Sequence, residues 1–199
     1  MKSLAAAVVA VSTLLMNPIA FADTLPLAAA QPVTLPPTDY ELAPEGTTVM
    51  WRDLDSGDTL EEDVGKAEGL MMKSRTGSHR SYAYLPDPWA DNENTRQDDI
   101  KPLFPLAVGK KVEFSRRPES GLAHDTVEVV RAETLTLPLG KVDTFVVQTR
   151  SEIPSASWTG DATFWYAPSL HWYVQLVIKD SDGDGRRRQV ISIAKPGVE

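Results

Sequence analysis

At 199 residues, with 42% hydrophobic and 24% charged residues, the chain has the size and make-up of one soluble globular domain with a tail, which excludes disorder throughout. Its net charge of −8 excludes the basic face that nucleic acid requires and argues against electrostatic docking on anionic lipid. The absence of cysteine excludes disulfide staples, thiolate zinc sites, iron–sulfur clusters, a cysteine nucleophile and an acylated lipoprotein cysteine.

The first stretch reads as an address. Lys2 gives a positive start, LAAAVVAVSTLLM a short apolar core, and Ala20-Phe21-Ala22 a small-x-small cleavage pattern, so residues 1–22 form a signal peptide with a mature start at Asp23. Its apolar run is too short for a membrane helix, and no other span follows once it is removed. Export to the periplasm or beyond is therefore expected. Over 23–46, Pro26, Pro32, Pro36, Pro37 and Pro44 stand too close together for helix or sheet, which predicts an extended, flexible linker.

A single β domain is expected over 47–199. TTVMWRDL alternates, Asp55 to Asp58 turns, TLEEDVGK continues as a polar strand, and GLMMKSR and SYAYL read as two short strands. Between Pro86 and Lys101 the pattern breaks into a long acidic loop containing Trp89. After the strand bearing Val112 and Phe114 comes DTVEVVRAETLTL. Its apolar positions switch parity from Val127 and Val129 to Val130 and Ala132, then to Leu135 and Leu137, which predicts a β-bulge. Pro138-Leu139-Gly140 is a turn, and Phe145 and Val147 point inward on the return. Pro168-Ser169 separates FWYA from HWYVQLVIKD. In that last run Trp172, Val174, Leu176 and Ile178 fall on one face, and Tyr173, Gln175, Val177 and Lys179 on the other. No segment carries a helical stripe. The fold expected is mainly β, a strongly curved antiparallel sheet or open β-barrel with few short helices behind a disordered leader.

Asp180-Ser181-Asp182-Gly183-Asp184-Gly185 matches the start of an EF-hand loop, making Asp180, Asp182 and Asp184 the one candidate metal set. The twelfth position is Ile191 instead of a clamping Glu, the flanks read as strands, and Arg186, Arg187 and Arg188 would repel a cation. A Gly-Asp hairpin turn is the better reading, and no metal or other cofactor is expected. His79, His124 and His171 show no ligand spacing, and no Ser, His and Asp arrangement or facing carboxylate pair marks a hydrolase. Rings remain. Alternation sends Phe164 and Tyr166 to one face and Trp165 to the other, so both faces of that strand must be covered by core, loop, ligand or partner.

Three blocks, LFPLAVGKKVEF, LPLGKVDTFVV and FWYAPSLHWYVQ, resemble those of an uncharacterised group of exported bacterial β-domains. In that group PL-x-x-G (Pro105 to Gly109), P-x-G-x-x-x-T-F (Pro138 to Phe145) and W-Y-A-P (Trp165 to Pro168) recur. The resemblance implies an architecture similar to the curved, incomplete barrels of LolA/LolB-type lipoprotein carriers, and it carries no catalytic residues. The function expected is a non-enzymatic periplasmic protein binding a lipid or other apolar small molecule against Trp89, Phe164, Trp165, Tyr166, Trp172 and Tyr173. The alternative is an assembly protein meeting an envelope partner through that aromatic surface or a sheet edge.

Overall fold

The computed structural model describes residues 25–39, 41, 43–68, 71–73, 80–82 and 97–197. The leader over 1–22, His79, and Trp89 with most of its loop lie outside the described residues. Among those described, twelve strands form: β1 (Ala29–Pro32), β2 (Thr48–Asp53), β3 (Thr59–Asp63), β4 (Ala67–Glu68), β5 (Met71–Lys73), β6 (Arg80–Tyr82), β7 (Lys111–Arg116), β8 (Ala123–Leu137), β9 (Gly140–Ile153), β10 (Trp158–Ala167), β11 (Trp172–Asp180) and β12 (Gly185–Ala194). One α-helical turn, Gln97–Ile100, precedes β7. Strands β4, β5 and β6 pair in a small separate sheet, so the two short strands read around Thr76 to Ser78 are present.

All other strands join one antiparallel sheet in the order β1-β8-β9-β10-β11-β12-β2-β3, with β7 beside the first half of β8. Three strands lie between β8 and β12 in that order, yet the two approach each other. The sheet therefore curls strongly without closing. Two long strands drive the curl. Val129 pairs with Val147 and Arg131 with Val146, which leaves Val130 as the extra residue of a bulge where the parity switch predicts one.

The bulge decides which side of the β8–β9 hairpin is buried. Cross-strand partners share a face, so Val127, Val129, Phe145 and Val147 lie on the side that carries Phe164 and Tyr166, the inner face. Beyond the bulge, Leu135, Leu137, Val142 and Val146 are buried on the opposite, outer face together with Trp165. Rings on both faces of β10 are thus both covered by protein.

A second bulge corrects the alternation expected in β11. Trp165 pairs with Gln175 but Tyr166 pairs with Tyr173, so Val174 is the extra residue. Tyr173 consequently shares the inner face with Leu176 and Ile178 instead of opposing them. Trp172, Tyr173, Val174, Gln175 and Leu176 are all buried.

The proline-rich stretch is extended, as expected, but from Leu25 onward it is tied down and not free. β1 pairs with the outer edge of β8, Ala29 opposite Thr136 through Pro32 opposite Glu133. Such an edge tolerates proline, because one side of the strand needs no ladder donor. Upstream, the Ala28 amide donates to Gln175 Oε1 and Arg187 Nη2 donates to the Leu25 carbonyl, so the segment crosses the outer face over β11 and β12. Downstream, Thr38 forms a bridge with Leu106, and the Ala43 amide donates to the His171 carbonyl.

Candidate functional site

Five of the six rings expected to line a ligand surface are described, and packing takes them all. Phe164, Trp165, Tyr166, Trp172 and Tyr173 are each at most 6% exposed. Tyr173 is a hub, with ring centroids 5.1 Å from Trp51, 5.0 Å from Trp172 and 6.3 Å, edge-on, from Phe164. On the outer face the Trp165 indole donates to Glu133, whose carboxylate also accepts from Arg131 Nε at 2.7 Å. Gln175, beside Trp165, is capped by the Ala28 amide. The chain's own N-terminal segment and the curled hairpin meet the second set of rings. Trp89, the sixth candidate, lies outside the described residues.

The acidic turn forms the hairpin that its Asp-Gly steps predict. Asp180 Oδ1 accepts the amides of Asp182 and Asp184, both at 3.0 Å, which commits that oxygen to the turn. Among the described residues no group of three potential ligands holds metal-site geometry. Spatial pairing also shows what sequence spacing hid: Ser115 Oγ lies 3.1 Å from His124 Nδ1 across the β7–β8 ladder, with Glu152 next along the row. That row faces solvent, and Glu152 accepts from Arg150 Nε at 2.7 Å. The acid beside the imidazole is engaged elsewhere, so the row lacks the third member that would orient a catalytic base.

A hollow opens in the described surface at the end of the sheet, where three turns meet. They are residues 117–122 between β7 and β8, 154–157 between β9 and β10, and 181–184 between β11 and β12. Its volume is about 380 Å³, and it is lined by Arg116, Pro118, Ser120, Ile153, Ala156, Trp158 and Asp182. Two seams lock the turns. Ser155 Oγ donates to the Ser120 carbonyl at 3.2 Å, and the Ser181 amide donates to the Thr159 carbonyl at 2.8 Å while Ser181 Oγ accepts the Thr159 amide.

One wall is fixed by a buried ion pair. Arg116 Nε donates to Asp125 Oδ2 at 2.9 Å, Nη2 reaches Asp125 Oδ1 at 3.4 Å, and Nη2 donates to Ser151 Oγ at 3.1 Å. Both charged side chains are 1% exposed. A guanidinium held at two nitrogens on a rigid sheet is a fixed wall, not a mobile surface arginine.

Trp158 reaches the hollow through a local device that recurs. Ile153-Pro154-Ser155-Ala156-Ser157-Trp158 and Ala167-Pro168-Ser169-Leu170-His171-Trp172 each make a 3-10 turn. A left-handed residue closes each turn, Ser157 at φ 52° and His171 at φ 53°, and a strand then starts with tryptophan. The five-residue pattern P-S-x-x-W, legible in the sequence, is the signal that would have found Trp158. At the second copy Glu41 Oε2 lies 3.0 Å from His171 Nδ1, close enough for an ion pair when the ring is protonated but without hydrogen-bond geometry.

Gly121 lets the 117–122 turn approach the 154–157 turn closely. Its φ is +134°, and a Cβ there would stand 2.2 Å from Ser155 Oγ. Gly121→Ala is expected to cost about 1–3 kcal/mol through backbone strain and the displaced Ser155–Ser120 hydrogen bond. Urea denaturation checks this, and an unchanged midpoint would mean that the two turns are not in contact.

The chain is similar to two solved structures. One is a Bacteroides fragilis protein of YmcC-like fold assigned as exported, at 15% identity and TM-score 0.39, the match covering 79% of this chain and 100% of that one. The other is a Parabacteroides distasonis protein assigned as a lipoprotein, at 13% identity and TM-score 0.40, with 80% and 100% covered. No family model matches the chain, and no curated protein matches it. The three-block resemblance and the likeness to lipoprotein carriers gain no support from a family match, so the functional reading rests on this chain's own residues.

Proposed function

We propose that this chain is an exported, non-catalytic β domain that seats a small amphipathic molecule in the hollow at the end of its sheet. The leader read over 1–22 supports export. The observation that carries the site is the composition of the hollow: the Trp158 indole and Ile153 offer an apolar wall, while Ser120 and Asp182 stand beside it with polar groups. A volume of about 380 Å³ suits a small ligand, and sites of that kind join an apolar lining to a few polar groups. Because the inner face is filled by its own rings, the apolar ligand expected there moves, in this reading, to the turn end.

The test uses the environment-sensitive dye 8-anilinonaphthalene-1-sulfonate. Saturable fluorescence enhancement is expected, weakened at least about tenfold by Ala156→Trp or Ser120→Trp, two exposed positions where an indole would fill the space. Enhancement that is absent, or indifferent to both substitutions, overturns the reading.

A further inference from the structure

Three arginines in a row follow Gly185 at the start of β12, and the middle one is held by both an ion pair and a hydrogen bond. Arg187 points to the outer face, where Nη1 meets Asp55 Oδ1 at 3.1 Å and Nη2 donates to the Leu25 carbonyl at 3.0 Å. Arg186 and Arg188 pair across the ladder with Ile178 and Leu176, so both stand on the inner face, about 7 Å apart along the strand. No hydrogen bond or ion pair reaches Arg186 among the described residues. Arg188 Nε is buried without a hydrogen-bond partner, its nearest carboxylate oxygen being Asp53 Oδ2 at 3.6 Å. That contact is a long ion pair, and the other oxygen of the carboxylate, Asp53 Oδ1, accepts the amides of Asp55 and Ser56, both at 3.0 Å. Two like charges therefore share one face with, among the described residues, one carboxylate, which pairs at long range with Arg188.

We propose that Arg186 and Arg188 form a binding site for a phosphate group, either free or as a phosphomonoester or lipid headgroup. Guanidinium groups offer planar forks of N–H donors that match the oxygens of phosphate, and two of them can share its charge. Such an anion would give Arg188 Nε a closer acceptor than Asp53 Oδ2 and relieve the repulsion between the pair. Burial, followed by the neighbouring Arg188 charge, holds the Arg186 pKa below the ordinary arginine value, and Asp53 offsets this in part. The site is local. A net charge of −8 gives no long-range pull on anions, so recognition depends on these two side chains at contact range. Neither arginine lines the hollow at the turn end, so this site stands or falls separately from the one proposed above.

Arginine side-chain N–H resonances followed by NMR during titration with inorganic phosphate supply the test, with sodium chloride at matched ionic strength as the screening control. Saturable shifts of the Arg186 and Arg188 Nε–H signals are expected. Affinity should fall at least about tenfold in Arg186→Gln/Arg188→Gln and stay unchanged in Arg52→Gln, an exposed arginine of the adjacent strand whose partner Gln189 places it on the other face. Co-sedimentation with phosphatidylglycerol vesicles, absent with phosphatidylcholine and lost in the double variant, would assign the phosphate to a lipid. Phosphate binding without vesicle association would assign a soluble ligand, and either outcome supports the site. Shifts reproduced by chloride, or kept by the double variant, overturn it.

Discussion

Truncating Asp125 to alanine is expected to destabilise the fold by about 3–5 kcal/mol, because the Arg116 guanidinium would keep its burial and lose the carboxylate that accepts from two of its nitrogens. Both side chains are 1% exposed, so water cannot replace the lost carboxylate without opening the end of the sheet. The Ser151 hydroxyl, 3.1 Å from Arg116 Nη2, supplies a dipole and not a charge. Urea denaturation followed by tryptophan fluorescence should show a midpoint lower by about 2 M, for a slope near 2 kcal/mol/M. Removing both charges with Arg116→Met/Asp125→Leu should recover most of the loss, since the desolvation cost disappears together with the attraction. That second variant keeps the test decisive if the first does not fold. A single variant within about 1 kcal/mol of the parent would mean that the pair is hydrated and that the wall of the hollow is not fixed by it.

The contrast between this pair and the rest of the sheet shows what a linear sequence can carry. Local devices were legible. The parity switch through Val127, Val129, Val130 and Ala132 announced the bulge at Val130, and Pro138 to Gly140 announced the turn that Gly140 makes at φ +115°. Each depends only on residues within a few positions of one another. The hollow depends instead on residues 117–122, 154–157 and 181–184 arriving at one end together, which strand order and register decide. Arg116, Asp125 and Ser151 likewise become neighbours only because β7, β8 and β9 pair in one particular register.

Two expectations were displaced for physical reasons. Proline density argues against a central strand, yet Ala29–Pro32 pairs at the edge of β8, where that argument does not apply. Strict alternation sent Tyr173 away from Leu176, yet one extra residue at Val174 brought it back to the same face. On strict alternation the rings exceed what one core face needs. The bulge at Val130 supplies the missing half, because beyond it Leu135 and Leu137 fall on the outer face and give Trp165 its own buried surroundings.

Tyr173 is where that account meets its sharpest test. Replacing it with alanine is expected to cost about 3–5 kcal/mol, the range for deleting a buried aromatic ring. Three ring contacts, to Trp51, Trp172 and Phe164, would go at once, each worth about 0.5–1.5 kcal/mol beyond area burial. The cavity left behind could close only by moving β2 against β11, and β12 lies between them in the sheet. Tyr173→Phe keeps all three ring contacts and should cost much less. Near-ultraviolet circular dichroism should register the difference, with most of the tryptophan band lost in the alanine variant and retained in the phenylalanine one. The opposite pattern would restore the aromatic-groove reading of the sequence. If Tyr173→Ala kept the parent's midpoint while dye binding fell away, the ring would be lining open space and not holding the core.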